Sequence, residues 1–327
     1  MANRSAGRQG DDGGSRADDG ARADGGSRTD DTELTGVRTC RDSEFLKHRG
    51  MLFTIAYDVL GTVSDAEDVV QETYLRWREV AERVENPRAY LARIASRQAL
   101  NSLRSASRRR EDYPGEWLPE PLPTGAARLP ADPEAAVLTA SEVSTAMLVL
   151  LQTLSGPERA AFILHEVFGF GYPEIAATLE MGVPAVRQTV HRARTRLRSG
   201  TSRTVPDSGE HRAAVERFLA ATMTGQIQAL LDVLAPDVVL VSDGGGKVSA
   251  ALRPVYGPEK VARLMIGLAD KYGAGAVPEF VELNGLPAVA FREEGAVTTV
   301  FQLELVDGRV QAVYAMRNPD KLVRLQG

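Results

Sequence analysis

The residues best equipped for chemistry in this chain are cations, and they are segregated. Arg187, Gln188, His191, Arg192, Arg194, Arg196 and Arg198 lie in a stretch with no acid between Pro184 and Arg203. Guanidinium and amide side chains donate to base edges and further arginines neutralise phosphates, so this pattern on a helix suits a DNA major groove. The plain alternative is a solvated basic helix. A second series, Arg88, Arg93, Arg97, Asn101 and Arg104, falls near one side of a helix expected to begin at Pro87, with Tyr90 available to stack on an unpaired base. Just upstream, Asp65, Glu67, Asp68, Gln71 and Glu72 precede Trp77 and make an acidic helix. An acidic stretch followed by a basic one implies two partners, one protein and one nucleic acid.

Other chemistries find less support. Cys40 is the only cysteine, which excludes an internal disulfide or cysteine-rich zinc site and suits a reducing cytoplasm. His211 is the only histidine after residue 200 and opens a helix, so a general-base histidine deep in the C-terminal part is not expected. Asp232, Asp237, Asp270 and Glu282 are the carboxylates to weigh for catalysis there, and each reads more simply as a surface acid. Asp243-Gly244-Gly245-Gly246-Lys247 hints at a phosphate cradle but lacks the P-loop spacing and the hydroxyl after the lysine. No catalytic residue, cofactor or metal is expected.

Periodicity places these residues on elements. From 42 to 107 apolar residues recur at helical spacing, and Ser64-Asp65-Ala66-Glu67 reads as a capping box in which Ser64 caps the Glu67 amide. From 108 to 133 the period stops, and Pro114, Pro119, Pro121, Pro123 and Pro130 force extended backbone in an acidic linker. Helices resume near Glu134 and run to 200, with a second capping box at Ser155-Gly156-Pro157-Glu158. Within them Ile175, Ala176 and Leu179 face inward on one helix, Gly182 marks a turn, and Val186, Val190, Ala193 and Leu197 form the inward stripe of the next, a helix-turn-helix. After a polar hinge, 208–327 reads as an α+β domain. It has a helix over 211–234, a strand at 238–241, a helix over 258–271, and strands over 288–292, 297–305 and 310–316 joined by Glu294-Gly295 and Asp307-Gly308 hairpins.

The motifs together resemble the extracytoplasmic-function sigma factors. Asp65-Ala66-Glu67-Asp68-Val69-Val70-Gln71-Glu72-Thr73-Tyr74-Leu75-Arg76-Trp77 is similar to the region-two helix that docks on the RNA polymerase clamp. Tyr90-Leu91-Ala92-Arg93-Ile94-Ala95 is similar to the helix that melts and reads the minus-ten element, and 172–197 to the region-four helix-turn-helix that reads the minus-thirty-five element. Three further motifs resemble a SigJ-like subgroup with a fused SnoaL-like domain: Trp117-Leu118-Pro119-Glu120-Pro121, Asp243-Gly244-Gly245-Gly246-Lys247 and Asn318-Pro319-Asp320-Lys321-Leu322. Three positions depart from the family pattern: Tyr90 stands where many relatives have Trp, Arg97 where many have Asn, and Glu180 where Gly is usual.

The resemblance implies two all-α sigma modules plus a SnoaL-like cone. It implies core RNA polymerase (clamp and flap) and promoter DNA as partners, a base-trapping turn between Arg78 and Pro87, and no separate anti-sigma factor. Asp65, Glu67, Asp68, Gln71, Glu72 and Trp77 would meet polymerase. The three subgroup motifs would regulate, with Trp117 an exposed aromatic and 243–247 a mobile loop.

Composition accords with this. The 327 residues carry a net charge of −5, so nucleic-acid binding has to come from local charge. Residues 1–39, rich in Gly, Asp, Arg and Ser, read as a disordered tail without a signal-peptide apolar core, and a soluble cytoplasmic protein is expected.

Overall fold

The computed structural model describes residues 28–80, 84–124, 143–198, 208–273 and 275–326. The chain divides at Cys40 into two units, Met1–Cys40 and Arg41–Gly327. Helix α1 spans Arg28–Leu60, so helix begins inside the stretch read as a disordered tail; glycines, frequent before residue 28, give way there to a single Gly36 before Arg41. Residues 1–27, the turn at 81–83 and the expected helix start near Glu134 lie outside the described residues.

In the second unit α1 is followed by α2 (Val63–Glu79) and α3 (Pro87–Glu111). Helix α2 starts two residues earlier than the capping-box reading. Thr62 is the N-cap, its hydroxyl donates to Asp65 at 2.5 Å, and Ser64 lies within the first turn. Helix α3 starts as expected, with the Asn86 side chain accepting from the Ala89 amide at 3.1 Å and Pro87 in the first turn. Residues 113–124 then run extended to a β-bridge between Pro123 and Leu283.

Helices α4 (Thr145–Leu151), α5 (Gly156–Phe162), α6 (Tyr172–Leu179) and α7 (Val183–Arg198) follow, with a π-helical turn over Ile163–Val167. The Ser155–Glu158 capping box is present, and Ile175, Val186, Val190, Ala193 and Leu197 are buried in one cluster with α1, α2 and α3. The two helical modules thus share a core.

The C-terminal domain comprises α8 (Ser208–Met223), α9 (Ile227–Val233), β1 (Leu234–Asp243), β2 (Val255–Tyr256), α10 (Pro258–Tyr272), β3 (Val277–Leu283), β4 (Leu286–Glu293), β5 (Ala296–Val306), β6 (Arg309–Met316) and α11 (Pro319–Leu322). The sheet order is β2-β1-β6-β5-β4-β3, with β1 and β6 parallel and the other pairs antiparallel. The helix expected over 211–234 is two helices. Gly225, at φ +67, ends α8, and the Gln226 amide turns back to the Ala221 carbonyl at 3.1 Å.

Strand β3 escapes the sequence pattern because it is an edge strand with Pro278 inside it and an exposed face. Its turn into β4, Asn284-Gly285 (φ 52 and 75), matches the two anticipated hairpins at 294–295 and 307–308. One sheet face packs on α8, α9 and α10. The other packs on Leu118, on Ala146 of α4 and on Leu322.

Candidate functional site

Helix α2 presents Asp68, Gln71 and Leu75 outward at i, i+3 and i+7, and Leu75 is 48% exposed. Asp65, Glu67 and Glu72 are half-buried; Glu67 pairs with Arg49 at 2.9 Å and Glu72 with Arg76 at 2.9 Å. Trp77 is buried at 4%, donating to the Arg41 carbonyl at 2.9 Å, because its stripe position on α2 points into the helical core. It is therefore a packing residue rather than an exposed docking contact. Leu75, an exposed apolar residue between charged neighbours, was the surface signal available in its place.

The cationic series on α3 divides. Asn101 and Arg104 are exposed, while Tyr90 packs on Trp77 (centroids 6.0 Å apart) and carries Arg93 over its ring at 5.1 Å. Arg88 and Arg97 instead reach the second helical module. Arg88 donates to the Phe168 carbonyl at 2.6 Å and covers the Phe170 ring at 4.2 Å. Arg97 donates to the carbonyls of Thr178 (2.9 Å) and Ala177 (2.8 Å), where α6 leaves carbonyls unpaired, and meets Glu180 at 3.1 Å. Glu180 holds the left-handed conformation (φ 56, ψ 43) that ends α6, so two of the three off-pattern residues contact each other.

On α7, Arg187, Gln188, His191, Arg192 and Arg196 are all exposed. The stretch has no acid of its own, but the fold supplies two. Glu158 of α5 contacts Arg196 at 2.9 Å and Arg192 at 3.6 Å, and Glu166 of the π-turn contacts Arg194 at 2.5 Å. Burial pushes the Glu158 carboxyl up, but hydrogen bonds from Ser155 and the charges of Arg196 and Arg192 outweigh it and hold the group below its ordinary range. Arg187 lies 5.4 Å over the Tyr172 ring.

The three subgroup motifs converge. Asp243, fully buried at the end of β1, accepts from the Tyr113 hydroxyl (2.6 Å), the Leu118 amide (2.9 Å), the Lys321 ammonium (2.7 Å) and the Gly245 amide (3.0 Å). Lys321 also donates to the Leu118 carbonyl at 2.6 Å and sits 4.0 Å over Trp117. Burial outweighs the attraction of Asp243 and lowers the Lys321 ammonium to about 8. Burial and the hydrogen bond to Asp243 raise the Tyr113 phenol. Asn318 donates to the Tyr113 hydroxyl at 2.7 Å, and a Cβ on Gly245 (φ +62) would collide with the Asn318 amide. Lys247 pairs with Asp320 at 2.5 Å, and Pro319 opens α11. Trp117 is half-buried rather than exposed, because it lies against Gly61, where a Cβ would come within 2.7 Å of its ring. The segment expected to be a mobile loop is pinned at Asp243, because a buried carboxylate needs these donors.

At its other end the strap of residues 113–124 ties into region two and the sheet. The Glu120 carboxylate accepts from the Val63 amide (2.8 Å), its carbonyl accepts from Tyr57 (2.6 Å), and Tyr57 accepts from Asn284 (2.9 Å). Pro119 and Pro121 are buried alongside. Sequence reasoning missed Tyr57, Asn284 and Arg159. Arg159, 5% exposed, donates to the carbonyls of Val59 (2.6 Å) and Leu151 (2.8 Å), and burial together with Arg110 lowers it to about 10. Only the Asn284-Gly285 dipeptide gave a signal, and it signalled a turn.

The carboxylates weighed for catalysis, Asp232, Asp237, Asp270 and Glu282, are exposed, and His211 is buried at 1% with its pKa lowered by burial. Among the described residues no group of His, Cys, Asp and Glu could hold a metal, and no helix is long and apolar enough to cross a membrane.

A three-helix module with an acidic face, a helix-turn-helix with a cationic outer helix and an extended connector define a promoter-recognition factor, and comparison identifies it. Residues 45–109 match the Sigma-70 region 2 family and residues 144–197 the Sigma-70, region 4 family. The chain is 38% identical over 294 residues to the ECF RNA polymerase sigma factor SigJ of Mycobacterium tuberculosis, covering 85% of this chain and 92% of that one. It is 29% identical over 281 residues to the probable ECF sigma factor SigI of the same species, covering 84% and 92%. The crystal structure of M. tuberculosis SigJ superimposes with a TM-score of 0.69 at 34% identity, covering 85% of this chain and 97% of that one. The chain belongs to the extracytoplasmic-function group of the sigma-70 family, acts in transcription initiation, and carries a SnoaL-like α+β domain at its C-terminal end.

Proposed function

We propose that this sigma factor is governed in cis, its C-terminal domain holding the two DNA-binding modules together through the strap. The observation that carries the reading is Asp243, one buried carboxylate that takes both the strap (Tyr113, Leu118) and the C-terminal lysine Lys321. With the strap seated, Arg88 and Arg97 are engaged by region four and withheld from the melted strand. Release would return them to Tyr90, Arg93, Asn101 and Arg104 as the minus-ten surface, while Arg187, Gln188, His191, Arg192 and Arg196 read upstream duplex. Asp68 and Gln71, with Leu75 and the neighbouring acids Asp65, Glu67 and Glu72, form the surface for the polymerase clamp, and region four meets the flap. On this reading region two is 40–107, the linker 108–133, region four 134–200 and the governor 208–327, in the cytoplasm and without a separate anti-sigma protein. The cone regulates rather than catalyses.

Run-off transcription with purified core polymerase tests this, comparing the full chain, Asp243→Ala and a deletion from Asn318 onward. A tethered interface is typically worth about 1–3 kcal/mol of coupling, so the variants should change promoter output about 5- to 150-fold. Identical output from all three, with no crosslink between Trp117 and the C-terminal domain, would refute the proposal.

A further inference from the structure

Beneath the sheet, α8 and α10 close over a cavity of about 520 Å³, its open mouth included, with apolar walls from Met265, Leu268, Phe291 and Phe301. A smaller apolar recess shares Met265, Phe291 and Phe301 and continues to Phe218 and Leu303. The half-exposed polar lining residues Tyr272, Glu293 and Arg317 mark the mouth, with buried Thr299 behind them. Arg317 covers the Tyr272 ring at 5.3 Å and donates to the Thr299 hydroxyl at 3.3 Å and to the Ser249 carbonyl. Among the described residues no carboxylate pairs with it, while Glu293 accepts from Thr298 at 3.2 Å. An apolar chamber with an unneutralised guanidinium at its entrance fits a molecule with an apolar body and one anionic end.

The main chain of Arg317 belongs to a different site. Its amide donates to the Asp243 carbonyl at 2.8 Å, and the next residue is Asn318, which holds Tyr113. One residue therefore has its side chain at the cavity mouth and its backbone in the hub that seats the strap. We propose that the cavity binds a small apolar carboxylic acid whose carboxylate pairs with Arg317, and that occupancy strengthens the strap. The seated strap holds Tyr113 on Asn318, the residue after Arg317, and so fixes Arg317 at the cavity; a ligand that pairs with Arg317 therefore binds that state more tightly, favours it by that difference in affinity and lowers transcription. The coupling rests on the governor reading above; the binding does not.

The test uses the full chain with 4-phenylbutyrate as probe and 4-phenylbutyramide as its uncharged counterpart. Calorimetric titration should show the acid binding at least tenfold more tightly than the amide. Arg317→Gln should abolish that preference while leaving the weak amide affinity. Ala269→Phe, which fills the cavity from α10 and keeps Arg317 in the chain, should weaken both ligands at least tenfold. In run-off transcription the acid should lower output from the wild-type chain severalfold and leave Asp243→Ala unaffected. Lack of acid binding, or equal affinity for acid and amide, overturns the site. Arg317-dependent binding with unchanged wild-type transcription overturns the coupling, and the governor reading still stands if Asp243→Ala alone alters output. If neither the ligand nor Asp243→Ala alters output, the governor reading falls as well, and only the binding site survives.

Discussion

Two acids on the sheet, Asp243 fully buried and Glu304 half-buried, show how position decides what a carboxyl does. Asp243 is matched by four donors and organises the hub, whereas Glu304 on β5 has its carboxyl pushed up to about 7 by burial alone. A raised carboxyl favours the protonated folded state, so its contribution is fully present below about pH 4.5 and is lost as pH rises through 7. Glu304→Gln should therefore flatten the loss of stability between pH 4.5 and 7 and raise the urea midpoint at pH 8. A wild-type-like pH profile in the variant would show that Glu304 is solvated. For Lys321 the partner matters more than the charge. Asp243→Ala leaves a nearly buried ammonium without its counter-ion, a change that costs about 3–5 kcal/mol in buried pairs. Asp243→Asn, which keeps hydrogen-bonding capacity, should cost less in the same urea titration.

Among elements, the junction of α3 with the helix-turn-helix sets two opposing magnitudes against each other. Glu180 sits at φ 56, a conformation costing a non-glycine residue about 1–2 kcal/mol, and its ion pair with Arg97 is solvent-exposed and worth about 0.2–1 kcal/mol. The strain wins, so Glu180→Gly should stabilise the chain by about 0.5–1 kcal/mol in urea denaturation. Arg97→Ala, which also removes two bonds to the α6 carbonyls, should destabilise it. If Glu180→Gly is destabilising, the ion pair is stronger than its exposure implies. The elements themselves were largely legible. The inward stripe of α7 and the hairpins at 294–295 and 307–308 follow from spacing and turn chemistry, whereas β3 was hidden by Pro278 and by its polar exposed face. The site was legible only as fragments. The motifs around Trp117, Asp243 and Asn318 stood out, but Tyr57 and Arg159 bind main-chain carbonyls, which leave no mark on a sequence.

For the whole molecule, the helical modules are joined by a cation that meets no anion among the described residues. Arg159 projects from region four into the C-terminal end of α1, where unpaired carbonyls satisfy it. Arg159→Lys cannot reach carbonyls on two helices at once, and should let limited proteolysis separate the two helical modules faster while far-UV circular dichroism is unchanged. Equal cleavage rates for variant and wild type would place the restraint elsewhere.

Beside the side chains of Tyr113, Trp117 and Glu120, the hub reads the main chain of the strap. Leu118 offers both its amide and its carbonyl, to Asp243 and Lys321, and Glu120 offers its carbonyl to Tyr57. Part of what is recognised is a backbone path fixed by prolines, and such a path can be supplied from outside together with its side chains. A synthetic peptide of residues 113–124 should compete with the chain's own strap, act as an inducer of transcription when added in excess, and lose that effect when Leu118 is N-methylated.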